Sequence, residues 1–188
     1  RSTKNGARCY LCVAGGINIE DVMGAKTTHL TSGIGGLHGR ILKKLDELNF
    51  GPLDDLIKPI QKVNDSITTD TKIIKVTKGV QWQWFEKNQK NKLFQRQYKV
   101  TELSNRMGLR LIGNAIKTNK ENEITTAGIS LGSIQIPGDG QPIISFVEHQ
   151  TTGGYPIIAN VISADVRKVG QLKVGDCFQF ELISFSSA

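Results

Sequence analysis

Cysteine is nearly absent from this sequence. Only Cys9, Cys12 and Cys177 occur among 188 residues. That is too few for a disulfide scaffold and fits a reducing, cytoplasmic setting. Cys9 and Cys12 form a C-x-x-C. A structural zinc site usually needs four ligands, though, and no second pair stands at the right spacing. The histidines His29, His38 and His149 are scattered and form no ligand pattern. No metal is expected. Both N-terminal cysteines lie in the apolar run CYLCVA, which reads as a strand. Residues three apart on a strand face opposite sides, so the two thiols would not converge. They are read as small core or near-core residues. Long apolar runs are missing too: none approaches the roughly 18 residues of a membrane helix. The start, RSTKNGARCYLC, has neither an apolar leader nor a Met. A fragment or processed chain is the expectation.

Aromatic residues are scarce at 6%, and the net charge is +7. Nucleic-acid binding would need clustered charge with stacking aromatics. The excess lies largely between Lys58 and Lys99, as single lysines among polar residues. That is the pattern of a solvated face. Trp82 and Trp84 alternate with glutamines in QWQWF and could share one face of a strand, as buried or half-buried aromatics. A basic pocket for a small anion is the more plausible use of the charge.

Glycine and short strand-like runs are abundant. TKIIKVTKG, QYKVTEL, MGLRLIG, SIQIP, PIISFVEH and CFQFELIS alternate or are rich in β-branched residues, and all read as strands. FEKNQKNKLF reads as one short helix. SADVRKVGQL holds a helical turn with Ser163 as its N-cap. SGIGGLHGR is a glycine loop without the Gly-Lys-Ser/Thr of a phosphate loop. Many short strands with few helices predict a mainly β fold built on a closed or nearly closed barrel. The segment 52–70, with Pro52, Pro59 and several Asp, is the expected connection between a first section, residues 1–51, and a second, residues 71–188. It contains an Asn64-Asp65-Ser66 sequon that a cytosolic chain would leave unmodified. A faint echo links Leu42-Lys43-Lys44-Leu45-Asp46 with Leu172-Lys173-Val174-Gly175-Asp176. It fits either a duplication or chance.

TTAGISLGSIQIPGDGQPI contains a Gly-x-Ser-x-Gly centred on Ser130. A nucleophile elbow requires a helix after the serine. Here a strand and a Pro-Gly-Asp-Gly turn follow instead, so a glycine-lined wall facing a ligand is the better reading. Arg106 and Arg110 are four residues apart and would share one strand face. Side by side, two guanidiniums repel unless an anion sits between them. The alternative is that each pairs with a surface acid. Gln135, Gln150, Thr151 and Thr152 offer groups that both donate and accept, suited to a cyclic amide or ureido ligand. Gly153 and Gly154 admit close backbone approach and an anion nest, and Tyr155 could cap a pocket. On its own, QTTGGYP also fits a tight turn between strands.

Three stretches together, SNRMGLRLIG, GISLGSIQIPGDGQPI and QTTGGYP, resemble the allophanate hydrolase subunit 2 family. YLCVAGGI, GRILKKLDEL and GQLKVGD add to the likeness, which covers nearly the whole chain. That family includes the C subunit of 5-oxoprolinase, a kinase-inhibitor antagonist, and the carboxyltransferase domain of biotin-dependent urea carboxylase, a group related to urea amidolyase.

The resemblance implies cyclophilin-like β-barrels, two in a full-length member, with the first incomplete here. It implies that this chain, lacking the section that completes that barrel, would be stable only with that section or in an oligomer. It favours the QTTGGYP set as part of a cleft. It also implies a subunit of an ATP-dependent hydrolase of 5-oxoprolinase type, inactive alone and paired with an allophanate-hydrolase-subunit-1-like partner. ATP would be held by this chain or by the partner. One alternative is a biotin-dependent carboxyltransferase domain, with biotin brought from elsewhere because no biotinyl-lysine segment is seen. Another is a non-enzymatic regulator that binds a kinase inhibitor. The sequence departs from the family in two places. Asn105 stands where Asp is usual, and an amide cannot act as a carboxylate base. Glu148-His149 stands where Asp-Arg is usual, which puts a local salt bridge in doubt. No catalytic residue is identified at this level.

Overall fold

The structure, a computed structural model, describes residues 6–52, 72–118 and 125–187. It divides into two compact units, Tyr10–Ser66 and a larger one formed by Arg1–Cys9 with Ile67–Ala188. The sequence alone groups residues 1–51 together. The difference is anchored by Gln171, whose Oε1 accepts the backbone N–H groups of Ala7 and Arg8, each at 3.1 Å. From Leu53 onward the expected connecting segment, with Pro59 and the Asn64 sequon, lies outside the described residues.

The larger unit is a closed barrel of seven strands. In chain order the strands are β1 (Ile73–Lys78), β2 (Tyr98–Val100), β3 (Gly108–Ile112), β4 (Ala127–Gly128), β5 (Ser133–Gln135), β6 (Ile143–Ser145), β7 (Thr152–Gly153), β8 (Ile157–Val161) and β9 (Cys177–Leu182). The barrel order is β1-β8-β5-β6-β3-β2-β9, and a parallel β1–β9 pair closes it. β4 and β7 form a separate two-stranded ribbon. Alternation explains the core. Ile74, Val76, Leu109, Leu111, Ile134, Ile144, Phe178 and Phe180 point inward and are buried. Each such side chain contributes about 1.5–3 kcal/mol of apolar burial. Phe178 and Phe180 meet edge to face with centroids 5.1 Å apart.

Two helices pack outside the barrel. α1 (Lys87–Gln95) lies on β9 and buries Leu93. α2 (Ser163–Val169) lies against β1. Its buried Asp165 accepts the Lys75 N–H at 2.8 Å and pairs with Lys168 at 2.9 Å. Ser163 is the first helical residue rather than the cap, a place taken by Ile162 with no side-chain hydrogen bond. Among the described residues no helix is long and apolar enough to cross a membrane.

Three further sequence expectations are corrected. Trp82–Trp84 forms one turn of 3-10 helix, not a strand. The turn is held by Gln81, whose Oε1 accepts the Ile157 N–H at 2.9 Å. Both tryptophans are still half-buried against the core, and Lys78 and Lys90 ammonium groups sit 5.9 and 5.1 Å from the Trp82 ring centre. CYLCVA takes no strand conformation, and Cys9 and Cys12 are exposed rather than near-core. An extended run needs a neighbour to satisfy its backbone groups, and this segment pairs with no strand among the described residues. Finally, Ile157–Val161 is a barrel strand that alternation does not reveal.

Among the described residues of the smaller unit, strand-type pairing consists of three isolated bridges, Ile17–Phe50, Val22–Ala25 and His29–Ile34. Arg40 grips Asp46 through two hydrogen bonds of 2.7 and 2.9 Å, and Asp46 also accepts the Lys43 N–H at 2.6 Å. The Arg40 guanidinium holds the Asp46 carboxyl well below the usual carboxylate range.

The LKKLD and LKVGD echo is a structural one. The Asp46 N–H bonds the Lys43 carbonyl at 3.1 Å, and the Asp176 N–H bonds the Lys173 carbonyl at 3.0 Å. Asp176 accepts the Lys173 N–H at 3.0 Å, as Asp46 does from Lys43. Leu45 and Gly175 fill the same place in the two turns, with φ of 77° and 92°.

Candidate functional site

Along a barrel strand successive side chains point alternately into and out of the barrel. Arg110, Ile143 and Gln135 are three that point outward, on β3, β6 and β5. Arg110 and Gln135 both stand in register with Ile143, so the three form one row across the outer wall. Gly108 and Ser145 form the next row. The β4–β7 ribbon lies over these rows and completes a cavity of about 590 Å³. Ala127 pairs with Gly153 and Gly128 with Thr152, and the Ile129 N–H extends the ribbon to the Thr151 carbonyl at 2.9 Å.

Of the residues singled out in the sequence, Arg110, Gln135, Gln150, Thr152, Gly153, Gly154 and Tyr155 line this cavity. Arg106 and Thr151 do not. Arg106 precedes β3 and is ion-paired with Glu148 at 2.8 Å. The salt bridge that the Glu148-His149 departure put in doubt is therefore made, with Glu148 as the acid. It also settles Arg106 on the surface-pair side of the two alternatives left open, so the paired-guanidinium arrangement is not what the structure shows. Thr151 contributes its backbone to the ribbon. Ser130 is exposed in the turn before β5, with no helix after it.

Arg110 has no acidic partner among the described residues. Its backbone is held instead by Ser104 and Thr101: Ser104 Oγ accepts its N–H at 3.0 Å, and the Thr101 hydroxyl donates to its carbonyl at 2.9 Å. The guanidinium is left for an anion. Gln135 is 4% exposed, yet its Nε2 has no hydrogen-bond partner. A buried amide without a partner costs about 1–3 kcal/mol, so its persistence calls for an explanation.

Gly153 shows where that amide points. A Cβ at this position would run into Ile129 Cδ1, and would lie 2.9 Å from Gln150 Nε2 and 3.1 Å from Gln135 Nε2. Two side-chain amide nitrogens thus converge around one glycine. Asn105 uses its Oδ1 to accept the N–H groups of Met107 and Gly108, at 2.9 and 3.2 Å. Its part is to shape the turn into β3 at the cavity rim, a role open to an amide as well as a carboxylate. Among the described residues the lining holds no Asp or Glu. Sequence reasoning misses Asn105, Ser145 and His149 as lining residues. Ser145 is legible as the outward neighbour of Ile144, whereas the other two come from loops.

Comparison with known proteins places the chain among relatives. A family profile described as "Carboxyltransferase domain, subdomain A and B" matches residues 1–182. The chain is 36% identical to the C subunit of 5-oxoprolinase from Escherichia coli over 185 residues, covering 98% of this chain and 59% of that protein. It is 29% identical to the urea amidolyase of Saccharomyces cerevisiae over 205 residues, or 98% of this chain and 11% of that one. In structure it matches the urea amidolyase of K. lactis with a TM-score of 0.83 at 29% identity, covering 98% of this chain and 12% of that chain. The chain therefore spans about three fifths of the bacterial relative it matches, and a small part of the fungal ones.

Proposed function

Since the chain belongs to the carboxyltransferase-domain family, subdomains A and B, we propose that its cavity binds a small amide bearing a carboxylate, of the 5-oxoproline kind. The observation that carries this reading is the buried, unpartnered Gln135 amide in one row with Arg110, which has no acidic partner among the described residues. A carboxylate matches the guanidinium, and an amide carbonyl matches the converging Gln135 and Gln150 nitrogens. Similarity to two bacterial proteins, each named as the C subunit of a 5-oxoprolinase, supports a place in a multi-subunit hydrolase. Its partner there would be of the allophanate-hydrolase-subunit-1 kind.

In that assembly ATP supplies the driving force for opening a stable lactam. Among the described residues the cavity lining offers no carboxylate to hold the magnesium of ATP. In this reading ATP is held by the partner, and this chain's residues bind and orient the amide.

A second reading is favoured by the fold match to a urea amidolyase. In it the cavity receives the ureido ring of a biotin carried by another protein. Gln135, Asn105 and Ser145 suit a neutral cyclic urea, which would leave Arg110 for a carboxylate elsewhere on the reactants.

Titration calorimetry separates the two. The chain is expected to bind 5-oxoproline, and to bind it more weakly in Arg110→Ala. Binding of free biotin without 5-oxoproline binding would select the second reading. Glutamate release from 5-oxoproline by the assembled subunits, with ATP, should cease when this chain is omitted.

A further inference from the structure

Among the described residues the cavity lining has no carboxylate, yet amide chemistry needs a proton carried to or from nitrogen. The titratable groups among the described lining residues are Arg110, Tyr155 and His149. Arginine does not give up its proton in proteins, and imidazole is the side-chain type that exchanges protons most readily near neutral pH.

His149 follows β6 in a tight turn, where its own N–H bonds the Phe146 carbonyl at 2.8 Å. Its Nδ1 lies 2.8 Å from the backbone carbonyl of Gln150. A carbonyl only accepts, so Nδ1 carries the hydrogen. In the neutral ring Nε2 then holds a lone pair. Nε2 is the one polar ring atom left for the cavity that His149 lines. The neighbouring charges are fixed. Glu148 is bound to Arg106, and Arg110 faces the cavity without an acidic partner among the described residues.

We propose that His149 is the proton carrier of this cavity, acting through Nε2 on the nitrogen of a bound amide. The proposal rests on the amide-substrate reading above. In lactam opening, water adds its oxygen to the carbonyl carbon and passes one proton to Nε2. The ring C–N bond then breaks, and its electron pair stays on nitrogen. Nε2 returns the proton there, leaving an amine and a carboxyl group, with one water consumed in the ring opening, a second in the ATP hydrolysis that drives it on the partner, and His149 neutral again. Gln135 and Gln150 would donate hydrogen bonds to the carbonyl oxygen as negative charge builds on it.

Nitrogen-15 spectra of labelled histidine in the chain test the tautomer. A hydrogen on Nδ1 is expected for His149, and a neutral ring with its hydrogen on Nε2 overturns the proposal. The activity test uses His149→Asn in the assembled complex. Asparagine keeps a donor for the Gln150 carbonyl but has no basic nitrogen. It should bind 5-oxoproline within about twofold of the unsubstituted chain, while turnover falls by about 100-fold or more and the acid limb of its pH profile disappears. Unchanged turnover and pH profile with binding intact overturn this proposal alone. Failure of the unsubstituted assembly to bind 5-oxoproline overturns the substrate reading, and this proposal with it.

Discussion

Arg110 and Gln135 stand opposite the same residue, Ile143, on the two strands that flank β6. Their backbones are therefore two inter-strand steps apart, roughly 10 Å, and the guanidinium and the amide extend from these fixed points. Rigid sheet, not loop, sets the distance between the charge-binding and amide-binding ends of the cavity. A ligand that bridges them must carry its anionic and carbonyl groups a few bonds apart.

Gln135 is predicted to be a stability cost retained for binding. Its Nε2 is buried without a partner. Gln135→Met keeps the volume and removes the amide, so chemical denaturation should show stabilisation by about 1 kcal/mol. Affinity for the amide ligand should fall in the same variant. Destabilisation would mean that the amide is satisfied in some other way.

Gly153 is predicted to be needed for space rather than for backbone freedom. Its φ lies outside the left-handed region, while a Cβ would press on Ile129 and on both glutamine amides. Gly153→Ala should cost about 1–3 kcal/mol as an overpacked site. It should also weaken ligand binding in calorimetry, by spreading the two amides. An alanine variant with native stability and affinity would refute the convergence.

The two arginines should separate cleanly. Arg106 is half-exposed and paired with Glu148, so Arg106→Ala should cost less than about 1 kcal/mol and spare affinity. Arg110→Ala should leave stability within about 0.5 kcal/mol, since it breaks no ion pair among the described residues. Its affinity for a carboxylate-bearing amide should drop by about 10-fold to 100-fold, the value of a charge-assisted hydrogen bond. Equal effects from the two would remove Arg110 from the site.

The twin turns make opposite predictions in the two units. Gly175 has φ of 92° with open space where a Cβ would go, so Gly175→Ala should destabilise by about 1 kcal/mol through its backbone alone. Leu45 adopts φ of 77° at the matching place, and Leu45→Gly relieves that strain. Amide hydrogen exchange around Lys43 should slow or stay unchanged in Leu45→Gly, and should speed up around Lys173 in Gly175→Ala.

The strands that alternate are legible because polar and apolar side chains take turns along them, whether the polar face meets solvent or, as at Gln135 on β5, the cavity. MGLRLIG, SIQIP and CFQFELIS show period two, and each forms a barrel strand. β8 is not legible because Ile157, Ile158 and Ala159 are all buried, which erases the alternation. CYLCVA fails in the opposite way, having strand composition without a strand to pair with among the described residues. QWQWF alternates, but Gln81 caps a 3-10 turn there, a tertiary contact 76 residues long that no local pattern carries. At the cavity, Arg110 and Gln135 follow from strand parity. His149 gives no such signal, because isolated histidines suggest no metal site and its position depends on the turn after β6.

The seam between β1 and β9 has a consequence for synthesis. The parallel pairing of Ile73–Val76 with Gln179–Leu182 joins the first and last strands of the barrel. Contacts this distant in sequence are slow to form and carry a large loop-closure cost. A nascent chain cannot seal the barrel until Leu182 has left the ribosome. Until then β1 has one unpaired side, and chaperones that recognise extended apolar segments have a window in which to hold it.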